Sequence, residues 1–295
     1  MDFDISYDII LQIKNKGVKG LKRCIRGHDV ERQGLLNICQ RMREMDCEYI
    51  QLVLERSLDG FETGMFSEEY AKTIKDQLGD IKIAVFGSYI NPADRNPESL
   101  AASLARFKEK IHYASVLKPI VVGTETGVYF DDKGNNANNT EEAYQYVLKS
   151  FKELVAEAEK YNVNIGIEGV HLFVINTPER MNRIVNDLNS DNVRVIFDPV
   201  NYININNYMN QDTIINTAFN LFGDKIAAIH AKDFDVVDGN IQKRIPGEGI
   251  LNYDLIFEQM YKHNLDIPII SEEICDTDGE KGLNNLERKY KKRKR

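Results

Sequence analysis

Short β-branched apolar runs alternate with longer amphipathic stretches along this chain, and in the second half each run ends on a polar side chain. The four runs read Ile165-Gly-Ile-Glu168, Val193-Arg-Val-Ile-Phe-Asp198, Ile226-Ala-Ala-Ile-His230 and Ile267-Pro-Ile-Ile-Ser-Glu272. They are too short for globular helices and almost uniformly apolar, so each reads as a parallel strand buried on both faces. The first half repeats the alternation, with candidate strands at Leu21–Ile25, Glu48–Val53, Ile81–Phe86 and Pro119–Val122. Helical periodicity fills the gaps at Glu31–Met45, Ser67–Leu78, Pro97–Leu117, Thr140–Tyr161, Thr177–Leu188, Gln211–Phe222, Tyr253–His263 and, in a more polar stretch, Gly279–Lys291. Asn96-Pro97-Glu98 and Thr177-Pro178-Glu179 are helix starts, a capping side chain followed by proline at the first helical position.

Eight strands alternating with helices predict an α/β protein, a single (β/α)8 TIM barrel. The 295 residues suit one such barrel, which takes roughly 250. One domain over 1–295 is therefore expected, with the basic run 288–295 as a solvated, frayed or disordered tail, or as an accessory anion-binding arm. The strand-final residues Glu168, Asp198, His230 and Glu272 are separated by 30, 32 and 42 positions. One βα unit needs roughly 30 residues. In a closed parallel barrel all carboxyl ends of strands open on one face, so these four side chains are expected on a common rim.

Three carboxylates and one imidazole form a mostly hard ligand set. It suits one divalent ion, manganese first, with magnesium, cobalt or zinc also compatible. Four protein ligands on an octahedral ion leave two positions, enough for neighbouring oxygens of a hydroxy ketone. A ligating glutamate can use its second oxygen to move a proton. Glu168 and Glu272 would face each other across the pocket, as epimerisation requires. A single glutamate shuttling a proton between neighbouring carbons would instead give aldose-ketose isomerisation.

Composition narrows the class. The net charge of -8 argues against a nucleic-acid partner, and no apolar run approaches a membrane span. With an acidic start at Met1-Asp-Phe-Asp4 the expectation is a cytoplasmic protein. Cys24, Cys39, Cys47 and Cys275 show no paired spacing, which disfavours a disulfide framework or a zinc knuckle. Barrel enzymes often pair, so a homo-oligomer stays open.

The pieces IEGV at Glu168, FDPVNY at Asp198, HAKDF at His230, PGEG at Gly247 to Gly249 and IISEEI at Glu272 resemble the sugar phosphate isomerase/epimerase family with the xylose-isomerase-like barrel. That family includes tagatose and psicose 3-epimerases and inosose dehydratases. The resemblance covers most of the chain and is densest from Ile165 to Ile274. It implies that Glu168, Asp198, His230 and Glu272 hold the metal, that Glu168 and Glu272 act as acid and base, and that the substrate is a small carbohydrate. Departures affect the substrate. Asn201 stands where ketohexose 3-epimerases carry a substrate-touching histidine, and Val236 where they carry arginine. With five histidines the chain is unlike the three-zinc endonuclease branch. An inosose dehydratase-like lyase and a non-catalytic sugar-binding barrel remain as alternatives.

Further candidates surround the rim. Arg26 and His28 follow the first strand and would meet substrate hydroxyls or phosphate. Glu125 follows the fourth strand and would bind a sugar hydroxyl, and Lys232 alternates in phase with His230, where its charge would neutralise developing negative charge or orient a carboxylate. Asn201 is a further substrate-binding candidate. Asp233 reads as a supporting or loop residue, and His171 as a loop side chain within reach of the pocket. Glu273, beside Glu272, is a rival ligand, although adjacent strand residues face opposite sides. Thr124–Asn139 is Gly- and Asn-rich and reads as a lid or a long solvated connection. In the loop Asp233–Leu251, the amides of Gly247 and Gly249 are expected to hold an anion on the substrate.

Overall fold

Alternation with period two governs what the strands present inward and outward, and it builds a closed ring. The computed structural model describes residues 20–293 apart from 32, 33, 59, 63, 65, 273 and 274. In chain order the elements are β1 (Lys22–Arg26), α1 (Leu35–Glu44), β2 (Tyr49–Leu52), a short α2 (Leu54–Ser57), α3 (Glu68–Leu78), β3 (Lys82–Gly87), α4 (Pro97–Leu117), β4 (Val121–Glu125), α5 (Glu141–Tyr161), β5 (Ile165–Glu168), α6 (Pro178–Leu188) and β6 (Val193–Phe197). The chain continues through α7 (Gln211–Phe222), β7 (Ile226–Ala231), the hairpin β8 (Asp233–Val237) and β9 (Asn240–Arg244), α8 (Tyr253–Lys262), β10 (Pro268–Ser271) and α9 (Asp276–Arg293). Strands β1 to β7 pair in chain order and β10 closes the ring onto β1, every pairing parallel. The chain is a single (β/α)8 TIM barrel.

Local chemistry sets the helix bounds. Thr177 and Thr140 each accept a hydrogen bond from the backbone amide three residues on, and Asn96 accepts from Glu98 and Ser99 ahead of α4. Asn162 and Asn189 close α5 and α6 in the left-handed region, at φ of 51° and 44°. The first helix begins at Leu35, not at Glu31, because Gly34 at φ 79° ends the regular path just before it.

Two apolar layers result. The main one lies between strands and helices and includes Phe107, Phe151, Phe219 and Phe257. A separate cluster takes Cys24, Tyr49, Val121, Ile196, Ala228 and Ile270 from six different strands. A Cβ on Gly123 would fall 2.6 Å from Ile196 Cδ1 and 2.7 Å from Val85 Cγ1, so β4 gives up its side chain there to admit Ile196.

Two expectations are corrected. The stretch after β7 is not all loop, because residues 233–244 form an antiparallel hairpin. Its turn residues Asp238 and Gly239 both have positive φ, 49° and 74°, as the tight Asp-Gly hairpin turn requires. The stretch from Thr124 is not all connection. Thr124 and Glu125 belong to β4, and the connection beyond them is tied down: Thr126 Oγ1 accepts from the Ile175 amide, Asn138 Oδ1 accepts from the Tyr129 amide, and Asn138 Nδ2 donates to the Leu172 carbonyl. The basic run from Arg288 is helical through Arg293, with Tyr290 packed edge-on against Phe257; residues 294 and 295 lie outside the described residues.

Burial also decides thiol chemistry. Cys24, Cys39 and Cys47 are buried and Cys275 is half-exposed. Burial pushes the Cys39 and Cys47 thiols up to about 11. Native protein treated with a maleimide at neutral pH is expected to gain one adduct rapidly, at Cys275, and the other three only after denaturation, as read by intact mass.

Candidate metal centre

Two residues beyond the interior cluster, on the same inward phase, stand the polar side chains of the site. Cys24 is followed by Arg26, Tyr49 by Gln51, Ile196 by Asp198, Ala228 by His230 and Ile270 by Glu272. Glu168, at the end of β5, occupies the equivalent place beyond Gly166. Dry packing below and polar side chains above therefore arise from one alternation continued to the carboxyl ends of the strands.

The four strand-final residues converge. One ligand atom from each of Glu168, Asp198, His230 and Glu272 can be chosen so that all lie within 4.8 Å of one another. Ligands about 2.0–2.2 Å from a common ion fit inside that spread. Glu168, Asp198 and His230 are almost wholly buried. His230 Nδ1 lies 3.0 Å from Glu168 Oε1 and 3.2 Å from Glu272 Oε2. Asp198 Oδ2 is buried without a hydrogen bond, and the Lys232 ammonium lies 2.9 Å from it as an ion pair. An acceptor so placed suits a cation, and these residues form a possible metal site.

The other ring nitrogen of His230 points away from the acids. His230 Nε2 lies 2.8 Å from Gln51 Oε1, and Gln51 Nε2 donates to the Tyr89 hydroxyl at 2.6 Å. An amide whose nitrogen is already donating must offer its oxygen to the imidazole. That fixes a proton on Nε2 and leaves Nδ1 to bind an ion. Replacing Gln51 with Leu is expected to weaken metal affinity by about 10–100-fold, measurable by competition with a chelating dye.

Cations hold the carboxylates in place. Lys232 Nζ reaches Asp198, Glu272 Oε1 at 3.2 Å and Asn201 Oδ1 at 2.9 Å. Arg26 Nη1 lies 2.8 Å from Glu272 Oε1, while its Nε and Nη2 clamp Asp29 at 2.6 and 3.0 Å. Burial alone would raise Glu272, but His230, Lys232 and Arg26 outweigh it and bring the carboxyl to about 2. Burial opposes charge on His230, yet Glu168, Glu272 and Asp198 lift it to about 9. Asp198 is raised by burial and lowered by Lys232, with the rise prevailing. Glu125 is pushed up to about 7, by burial and then by Glu168, its partner in the β4–β5 register.

A cavity of about 160 Å³ opens above this floor. Its wall includes Arg26, His28, Glu125, Glu168, His230, Lys232 and Glu272, all of them expected from the sequence. Gln51, Tyr89 and Arg56 also line it and were not among the expected residues. Gln51 was legible as the last inward polar residue of the second strand, by the rule applied to the later strands.

Other candidates fall elsewhere. Asn201 does not line the cavity; its Nδ2 donates to Glu168 Oε1 at 2.8 Å and its Oδ1 accepts from Lys232, so it braces the site from behind. Gly247 and Gly249 do not face the cavity either. Both amides donate to Asp233 Oδ2, at 2.8 and 3.0 Å, while Leu251 and Phe234 donate to Oδ1. The anion those amides hold is thus a carboxylate of the chain itself, buried by the loop wrapped around it. The His171 ring Nδ1 lies 3.0 Å from the Asn201 carbonyl oxygen, outside the cavity wall. Glu273 lies outside the described residues.

Known proteins are similar to this arrangement. A D-tagatose 3-epimerase-like protein has a TM-score of 0.74 at 21% identity, over 93% of this chain and 100% of that one. The 3-keto-D-glucoside 4-epimerase from E. coli, in its apo form, has a TM-score of 0.71 at 13% identity, over 90% of this chain and 98% of that one. The IOLI protein with a binding zinc atom has a TM-score of 0.69 at 19% identity, over 92% and 96%. At such identities the likeness establishes the fold. No curated protein matches the chain by sequence. The family profile described as xylose isomerase-like TIM barrel matches residues 39–292. This chain belongs to the xylose isomerase-like TIM barrel family.

Proposed function

We propose that this protein is a divalent-metal-dependent isomerase or epimerase of small carbohydrates, moving a proton next to a carbonyl through an enediolate. The observation that carries the proposal is the convergence of Glu168, Asp198, His230 and Glu272 at the carboxyl end of a barrel, beneath an open cavity. Sugar epimerases of the same fold support it. A divalent ion held by these four residues supplies Lewis acidity to a substrate oxygen. Manganese is the preferred ion on ligand hardness, with magnesium, cobalt and zinc as alternatives.

The chain's own groups then do the proton work. Glu168 and Glu272 both line the cavity and reach it from strands three places apart in the eight-stranded ring. One, as a carboxylate, takes the proton from the substrate carbon, and the other, entering the cycle protonated, delivers its own proton to the opposite face. Arg26 and Lys232 keep Glu272 ionised and therefore basic only toward an acidified C–H. Lys232 also compensates negative charge as it grows on the substrate. Asn201 holds Glu168 and Lys232 at fixed distance, so the acid and the cation stay aligned.

The reading includes a cytoplasmic protein without a nucleic-acid partner, in keeping with the net charge of -8. Among the described residues no helix is long and apolar enough to cross a membrane. The test is a panel of ketoses, ketose phosphates and inososes in deuterated water with manganese, read by NMR. The proposal expects a new stereoisomer or regioisomer carrying deuterium at the carbon next to the carbonyl. Loss of water from an inosose would make the protein a lyase, and binding without turnover a sugar-binding barrel.

A further inference from the structure

The cations around the cavity are not all engaged. Arg26 is committed to Asp29 and Glu272, and Lys232 to Asp198, Glu272 and Asn201. Arg56, at the cavity mouth, has no carboxylate or hydrogen-bond partner among the described residues. Its guanidinium lies 5.8 Å from the centre of the Tyr89 ring. Stacking of that kind orients an arginine while leaving its N–H edge free to bind. The wall carrying it is fixed: the neighbouring Glu55 pairs at 2.7 Å with Lys110, whose ammonium is buried and lies 4.1 Å from the centre of the Phe61 ring.

A second unengaged group sits beside it. The His28 side chain is 12% exposed, and its Nδ1 is buried with no hydrogen-bond partner among the described residues. Its Nε2 lies 3.8 Å from Asp29 Oδ1, beyond hydrogen-bond reach. Burial, then Arg26 and Arg56, bring the imidazole down to about 4, so it is neutral and offers one N–H in either tautomer. It feels Arg56 on one hand and Glu272 on the other, between the mouth and the acid cluster. An unpaired arginine fork beside an unsatisfied imidazole lacks an oxyanion. A neutral hydroxyl would satisfy the histidine and leave the arginine as it is.

We propose that Arg56 and His28 form an oxyanion subsite at the cavity mouth, which takes a phosphoryl or carboxylate group at the end of the sugar remote from the reacting carbonyl. This deepens the carbohydrate reading of the site and rests on it. Substrates are then acidic sugars, and the barrel end distinguishes two parts of one molecule: the metal-ligand cluster takes the carbonyl end and Arg56 the charged end.

The test is calorimetry on the full-length, manganese-loaded chain with inorganic phosphate, glucuronate and glucose as probes. At least one of the two anions should bind more tightly than glucose, with R56A and R56E each weakening it by about tenfold or more, R56K recovering part of the loss and H28A weakening it less. Phosphate alone binding in this way identifies a phosphoryl site, and glucuronate alone a carboxylate site. Anion affinity equal in wild type and R56A would overturn the subsite, since an anion held only by the metal does not sense Arg56. So would anions that bind no better than glucose. The underlying reading fails separately: Arg56-dependent anion binding with no deuterium exchange on any ketose keeps the subsite and removes the proton-transfer assignment.

Discussion

Glu168→Gln and Glu272→Gln are each expected to lower turnover by about 10³-fold, within the usual range for loss of a general acid or base, while the protein still melts cooperatively. The substitutions are nearly isosteric, so packing around the buried Glu168 survives. Charge and hydrogen-bond polarity are what change. In Glu168→Gln an amide replaces the carboxylate whose Oε1 faces His230 Nδ1 and Asn201 Nδ2. In Glu272→Gln the cations Arg26 and Lys232 lose a shared acceptor. Each variant is checked by deuterium exchange at saturating metal, which separates lost proton transfer from weakened ion binding. Exchange at the wild-type rate in either variant would remove that residue from the acid and base pair.

Metal uptake should be both stabilising and strongly pH-dependent. An ion present at about 100 times its dissociation constant stabilises the folded state by about 2.7 kcal/mol, which for a chain of 295 residues is a rise of about 4 °C in Tm. The sign of the pH effect is set by His230. Its neighbours hold the imidazolium up to about 9, and a ligating histidine must be neutral. Below that pH the ion has to displace a proton, so apparent affinity should climb about tenfold per pH unit and level off near 9. Uptake independent of pH across this interval would mean that His230 is not a ligand. Lys232 adds to the same competition, because its ammonium already lies among Asp198, Glu272 and Asn201.

Strand ends were legible in the sequence because burial and alternation are local properties. A β-branched run followed by a single carboxylate or imidazole reports both the strand and the side its last residue faces, and four such runs at one-unit spacing locate the rim. The same rule read on Tyr49-Ile-Gln51 would have found Gln51, but a register shift between Ile50 and Gln51 makes that short strand irregular. Loops were less readable because their contacts are distant in sequence. Gly247 and Gly249 carry free amides in the sequence, and only the fold brings Asp233 beneath them. Asn139 in the supposed lid hydrogen-bonds to Asn176. The hairpin after β7 did have a local signal, Asp238-Gly239 between apolar residues, which is easily masked by the glycines at 247 and 249. Arg56 gave none: an arginine after a strand is common, and what distinguishes this one is a cavity on one side and a fixed wall on the other.

The most direct measurement is anomalous diffraction from crystals grown with manganese. The expected result is one strong peak at the carboxyl end of the barrel, about 2.0–2.3 Å from an oxygen of Glu168, Asp198 and Glu272 and from His230 Nδ1. An ion bound elsewhere, or no ion bound at saturating manganese, would contradict it.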